Sequence, residues 1–175
     1  MLSVLRRAVA VATVAAFSAG AVEAQMGGLK VEEIRVDIAG LSMISGDRTI
    51  FGVGIPGSVA LGIYLNDKIA LEPTLGLTHV SPEFGAAATT ISIGVFAPYY
   101  LAGDRGHNGL FVAPGVMISK TTNQNAAIDF GADVGYKKAI TDKVSWSAAG
   151  MLRAGDSTDP EMELGARFGL SVFWR

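Results

Sequence analysis

From Glu163 to Trp174 the chain alternates between two kinds of side chain. Leu164, Ala166, Phe168, Leu170, Val172 and Trp174 share one parity, while Glu163, Gly165, Arg167, Gly169 and Ser171 hold the other. Phe173 is the one large apolar residue on the second parity. Successive side chains of a strand point to opposite faces, so this stretch predicts a strand with one apolar face and one small or charged face.

The same rule repeats upstream. Val144, Trp146, Ala148 and Leu152 alternate with Ser145, Ser147, Ala149, Met151 and Arg153, and Ile128, Phe130, Ala132, Val134 and Tyr136 with Asp129, Gly131, Asp133, Gly135 and Lys137. Leu110, Val112, Val116 and Ile118 alternate with Gly109, Ala113, Gly115 and Ser119, and a further strand carries Thr89, Ile91, Ile93, Val95, Ala97 and Tyr99 on its apolar parity. Lys68 to about Ser81 sets Ile69, Leu71, Leu75 and Leu77 against Ala70, Glu72, Thr74, Gly76 and Thr78. Before it, an unbroken parity from Thr49 through Phe51, Val53, Ile55, Val59, Leu61, Ile63 and Leu65 predicts a long strand despite Pro56. The first strand, near Val31 to Ile44, opposes Ile34, Val36 and Ile38 to Arg35 and Asp37, and its parity slips near Gly40, where a bulge is expected.

Eight such strands predict an all-β fold, an eight-stranded antiparallel transmembrane up-and-down barrel whose narrow lumen is filled by side chains. Hydrocarbon cannot satisfy a free sheet edge, so the barrel must close. An even strand number keeps both termini on one side, expected to be the periplasm, with Asn66-Asp67-Lys68 and Thr141-Asp142-Lys143 as turns on that side. These turns open similar strands, Lys68-Ile-Ala-Leu71 and Lys143-Val-Ser-Trp146, a weak internal repeat. Tyr99, Tyr136, Trp146 and Trp174 all fall on the outer parity beside that end, as an interfacial aromatic girdle does. The 22 glycines suit inner positions where the wall bends or the filling is crowded.

The N-terminus changes the picture of compartment. Arg6 and Arg7 precede an apolar run from Ala8 to Ala19, and Val22-Glu23-Ala24 offers a small-residue cleavage site, so residues 1–24 are expected to be a cleaved secretory signal. The run is too short for a spanning helix. Residues 25–30 are then a short periplasmic segment and 31–175 the outer-membrane barrel. Removing two arginines and one glutamate from 14 basic and 16 acidic residues leaves 12 against 15, a net of −3, with no basic tract to suggest nucleic acid. There is no cysteine, which excludes a disulfide framework or a thiolate metal site. Mean hydropathy is +0.39, yet the longest mature apolar stretch, around Ile93 to Gly103, is short and contains Pro98.

On these alternating strands the chain resembles the small eight-stranded outer-membrane proteins of the OmpA/OmpX type, including the porin-like outer-membrane protein β-barrel group, over essentially Gly27 to Arg175. The resemblance implies an outer-membrane barrel surrounded by outer-membrane lipid and lipopolysaccharide. It also implies an assembly signal at Phe168, Leu170, Val172 and Trp174, read by the barrel-insertion machinery; that signal usually ends on the aromatic residue, and here Arg175 follows. A monomer is expected.

Inner-parity charges are Arg35, Lys137, Arg153 and Arg167 against Asp37, Glu72, Asp129, Asp133 and Glu163. An unpaired charge in a narrow lumen is costly, so these predict a salt-bridge network that fills the barrel, with a gated proton or ion path as the other reading. Gly52-Val-Gly54-Ile-Pro-Gly57 matches the dinucleotide fingerprint in letters only, because a strand and not a helix follows it. His79 and Ser81, with Glu83 nearby, resemble part of the lipid A deacylase arrangement, although the surrounding segment departs from it. His107 lacks neighbours for a metal site, and Gly155 to Pro160 lacks the oxygen spacing of a calcium loop. No catalytic residue, metal or cofactor is therefore expected. The outside loops, near Ser45 to Arg48, Pro82 to Ala86, Thr121 to Asn125 and Gly155 to Pro160, are short for an adhesin.

Four functions remain open on the sequence. The first is a structural or surface-interaction barrel. The others are a small passive pore for small or hydrophobic solutes, a lipid A-modifying enzyme, and a soluble ligand-binding barrel of lipocalin type with its oily face inward. The last is disfavoured because Arg35, Asp129 and Arg167 would then lie outside.

Overall fold

The computed structural model describes residues 31–45, 57–80, 88–101, 107–155 and 162–174. The expected signal sequence, the segment 25–30, the glycine run before Gly57, Ser81, Glu83 and Arg175 lie outside the described residues, as does the side chain of His79. Among the described residues there are nine strands: β1 (Val31–Ser45), β2 (Gly57–Tyr64), β3 (Ala70–Val80), β4 (Ala88–Phe96), β5 (Tyr99–Tyr100), β6 (Gly109–Thr121), β7 (Ala126–Thr141), β8 (Val144–Gly155) and β9 (Met162–Phe173). β4 and β5 both pair with β6 and serve as one wall strand, so the wall has eight members. The predicted strand through Thr89 and Tyr99 is interrupted at Ala97-Pro98, where proline has no N–H to give the ladder. The break is bridged from its neighbours: Ala97 N–H donates to Pro114 O at 2.8 Å and Ala70 N–H to Pro98 O at 3.1 Å.

With β4 and β5 taken as one wall strand, each wall strand pairs antiparallel with its sequence neighbour, and β1 pairs with β9 from Glu33↔Phe173 to Ser45↔Met162, which closes the sheet into an up-and-down barrel. Closure leaves no edge strand. The parity slip of β1 appears as a register shift between Asp37 and Ala39 against β9. One extra residue there exposes Ile38 and brings both Asp37 and Gly40 to buried positions.

The parity rule sets which face is which. Ile93, Phe130, Val134 and Leu164 are 63, 59, 57 and 55% exposed on the outside, while Phe96, Tyr100, Phe111 and Phe173 are buried within. Large inner side chains stand across from small ones: Lys137 opposes Ser147, and Arg35 opposes Ala60 and Ser171. Gly135 meets this need most directly, since a methyl there would approach the Phe111 ring at 2.6 Å and Ala149 Cβ at 2.7 Å. Both described chain ends lie at one end of the barrel, called the terminus end below. The turn at Thr121–Gln124, with Asn123 in the left-handed region at φ 63°, belongs to the opposite, loop end.

Candidate functional site

The lumen is the candidate site, and it is built by alternation on five strands. β1 contributes Glu33, Arg35 and Asp37; β3 contributes Glu72; β7 contributes Asp133 and Lys137; β8 and β9 contribute Arg153 and Arg167. All eight are buried.

At the terminus end Lys137 Nζ donates to Glu33 Oε1 at 2.6 Å and to the Tyr100 hydroxyl at 3.2 Å. The Tyr64 hydroxyl donates to the other oxygen of Glu33. Tyr100 passes the chain onward, donating to Glu72 Oε1 at 3.3 Å, and Glu72 pairs with Arg35. Arg35 Nε lies 3.3 Å from Asp37 Oδ1, and Asp37 also accepts from Ser58 Oγ at 2.5 Å. Arg167 joins the two halves: its Nη1 donates to Asp37 Oδ1 at 2.9 Å, and its Nε to Asp133 Oδ2 at 2.9 Å. Arg153 Nη1 completes the path at Asp133 Oδ1, 2.6 Å away.

Four cations and four anions thus cancel within one connected set of side chains. Aromatic rings complete the filling. Lys137 lies over the rings of Tyr100 and Phe173 at 5.3 and 5.5 Å, and Arg153 over Phe96 at 4.8 Å. The His107 ring meets that of Phe173 edge-on with centroids 4.2 Å apart, and Ser145 Oγ donates to His107 O, so His107 packs at the terminus end.

Seven of the nine charges expected in the lumen set are brought together in this path. Asp129 stands nearer the loop end, accepting from Ser119 Oγ at 3.0 Å, and Glu163 is half-buried across from Arg153 in the β8–β9 register. Glu33 was missed by the sequence reading although it shares the parity of Arg35 and Asp37; it is the partner that Lys137 required. Of the four girdle aromatics, Tyr99, Tyr136 and Trp146 face outward near the terminus end, the last two with ring centroids 6.1 Å apart. Trp174, just past the end of β9, packs against Ile34, an outer-parity residue that also meets Val36, Val59 and Leu61. Phe168, Leu170 and Val172 of the expected assembly signal face outward at 47, 40 and 49% exposure.

The arrangement is one of mutual neutralisation. Its carboxylates are engaged by guanidinium, ammonium or hydroxyl donors, and among the described residues no cluster of three His, Asp or Glu is placed to hold a metal. What it can do is hold eight charges out of water at no net charge and occupy the lumen.

No protein-family model and no curated protein matches the chain. Among solved structures, the chain is similar to Neisserial surface protein A (NspA), with a TM-score of 0.67 at 14% identity over 84% of this chain and 99% of that one. It is also similar to Ail, the attachment invasion locus protein of Yersinia pestis, with a TM-score of 0.52 at 11% identity over 82% and 99%. The fold is that of these small eight-stranded β-barrels.

Proposed function

We propose that this chain is an integral outer-membrane β-barrel protein with a structural or surface-interaction role, without catalysis and without an open channel. One observation carries the reading: burial is inverted relative to a water-soluble protein. Lys137 and Glu33 are 0 and 1% exposed, whereas Ile93 is 63% and Phe130 59% exposed. Water would not favour so large an apolar exterior, while hydrocarbon favours it and tolerates strands only when every backbone group is paired in a closed sheet. The inward-facing oily lumen of a lipocalin-type barrel is the reverse of this arrangement.

In this reading residues 1–24 direct export and are removed, β9 with Phe168, Leu170, Val172 and Trp174 is recognised by the barrel-insertion machinery, and the monomer sits in lipid and lipopolysaccharide with its terminus end toward the periplasm. Tyr99, Tyr136 and Trp146 occupy the headgroup level on that side. The similarity to Neisserial surface protein A and to Ail supports the choice of a membrane barrel over a soluble one.

The test is the gel mobility of the mature protein from carbonate-washed outer membranes, boiled against unboiled. A boiling-dependent shift in that fraction is expected. Recovery in a detergent-free soluble fraction with no shift would overturn the reading.

A further inference from the structure

Among the described residues three prolines lie within the wall, on adjacent members of it: Pro73 in β3, Pro98 between β4 and β5, and Pro114 in β6. Proline has no N–H for a ladder and is ordinarily kept out of strands paired on both sides. Here the three interrupt one patch. The β2–β3 register runs from Gly57↔Leu77 to Ala60↔Thr74 and resumes only at Ile63↔Leu71, so Pro73 faces a gap. Ala70 N–H donates to Pro98 O at 3.1 Å and Ala97 N–H to Pro114 O at 2.8 Å, and in both pairs the return bond of an antiparallel ladder would need the N–H that proline lacks. Across the barrel, by contrast, every residue from Asp129 to Ala139 of β7 has its partner in β8.

Residues 97–101 therefore hang between β3 and β6 on few backbone bonds, among them Tyr100 N–H to Lys68 O at 2.7 Å and Leu101 N–H to Leu110 O at 2.9 Å. Their inward anchor is Tyr100, whose hydroxyl donates to Glu72 at 3.3 Å and accepts from Lys137 at 3.2 Å. Behind this segment the filling is apolar, since Tyr100 shares one buried cluster with Ala70, Phe96, Phe111, Ala113 and Ala149. We propose that residues 97–101 form a flap in the wall, hinged at Ala97-Pro98 and latched by Tyr100, which swings away from β6 and opens the apolar cluster to the barrel exterior while β6 stays paired with β7. Local opening is cheapest where the fewest ladder bonds must break, and the prolines have removed them in advance. The flap depends on the pairing of the wall and not on the lipid around it, so it stands apart from the membrane reading.

The test is residue-resolved amide hydrogen exchange on the full chain in lipid nanodiscs, and β6 carries its own control. Backbone groups alternate sides along a strand; because Leu110 O accepts from Leu101, the amides of Leu110 and Val112 point toward the flap, whereas those of Phe111 and Ala113 point toward β7. Leu110 and Val112 are expected to exchange about tenfold faster than Phe111 and Ala113. Pro98→Ala and Pro114→Ala each return a donor to the patch and are expected to slow the first pair about fivefold, and Y100F, which removes both bonds of the latch, to speed it by about as much, with the second pair following neither change. Equal exchange of the two pairs in the unsubstituted chain, no response of the first pair to these variants, or a parallel response of both pairs would overturn the proposal. The comparison within the unsubstituted chain decides the matter where a variant fails to fold.

Discussion

Lys137 and Glu33 stand 104 residues apart in sequence and meet at 2.6 Å inside the barrel, neither more than 1% exposed. Neither charge is tolerable there without the other, because several kcal/mol of desolvation per ion must be offset by pairing and hydrogen bonds. Removing one partner with K137M or E33Q is therefore expected to destabilise the barrel by about 3–5 kcal/mol. The pair K137M/E33Q should recover much of that loss, giving a coupling energy of the sign a double-mutant cycle resolves. Reversible urea unfolding in lipid vesicles measures it; additive losses would show that the two side chains act independently.

Crowding inside the wall makes a second, sharper contrast. A methyl at Gly135 would press on Phe111, Ala149 and the Ala148 carbonyl, whereas a methyl at Gly150 on the outer parity would have its nearest neighbours at 3.8 and 3.9 Å. Gly135→Ala should cost about 1–3 kcal/mol by overpacking. Gly150→Ala should be near neutral in the same unfolding assay, and equal costs at the two sites would contradict the inward assignment of Gly135.

The exterior predicts its own solvent. Val116 lies outward at the middle of β6, paired with Val95 on one side and Phe130 on the other. In a bilayer, Val116→Arg places a cation near the hydrocarbon midplane and should cost about 2–4 kcal/mol. Leu110→Arg, toward the terminus end beside Tyr136, should cost about 0–1 kcal/mol. Folding titrations into vesicles give both numbers, and a cost independent of depth would argue against a membrane wall.

Alternation made the wall legible in the sequence, because a period of two assigns every residue of a strand to a face at once. The bulge in β1 was legible too, as a parity slip, since an inserted residue reverses the faces beyond it. What the sequence did not display was pairing across the lumen. Glu33 carries the right parity but sits at a strand start beside Glu32, and only closure of the sheet brings Lys137 to it from β7. The inward aromatics Tyr64 and Tyr100 were hidden for a related reason. Each carries the inner parity, but which acid its hydroxyl meets depends on closure, which sets Glu33 before Tyr64 and Glu72 before Tyr100.

The filled lumen separates a closed barrel from a passive pore. An eight-stranded wall leaves an interior just wide enough for side chains, and here that width is occupied by a neutral chain of ion pairs running from Lys137 and Glu33 to Arg153. A permeating ion would have to displace Arg167, which is held by Asp37 and Asp133 at 2.9 Å each. The intact protein is expected to give no conductance above background in planar bilayers. Arg167→Ala removes the link between the two halves of the chain and leaves both carboxylates short of a donor, so it should lower stability by about 3–5 kcal/mol and admit water, and cations ahead of anions, into the space it vacates. Cation-selective current appearing in that variant and absent from the unsubstituted protein would identify the ion-paired chain as the barrier. Steady conductance in the unsubstituted protein would instead make the pore the leading reading.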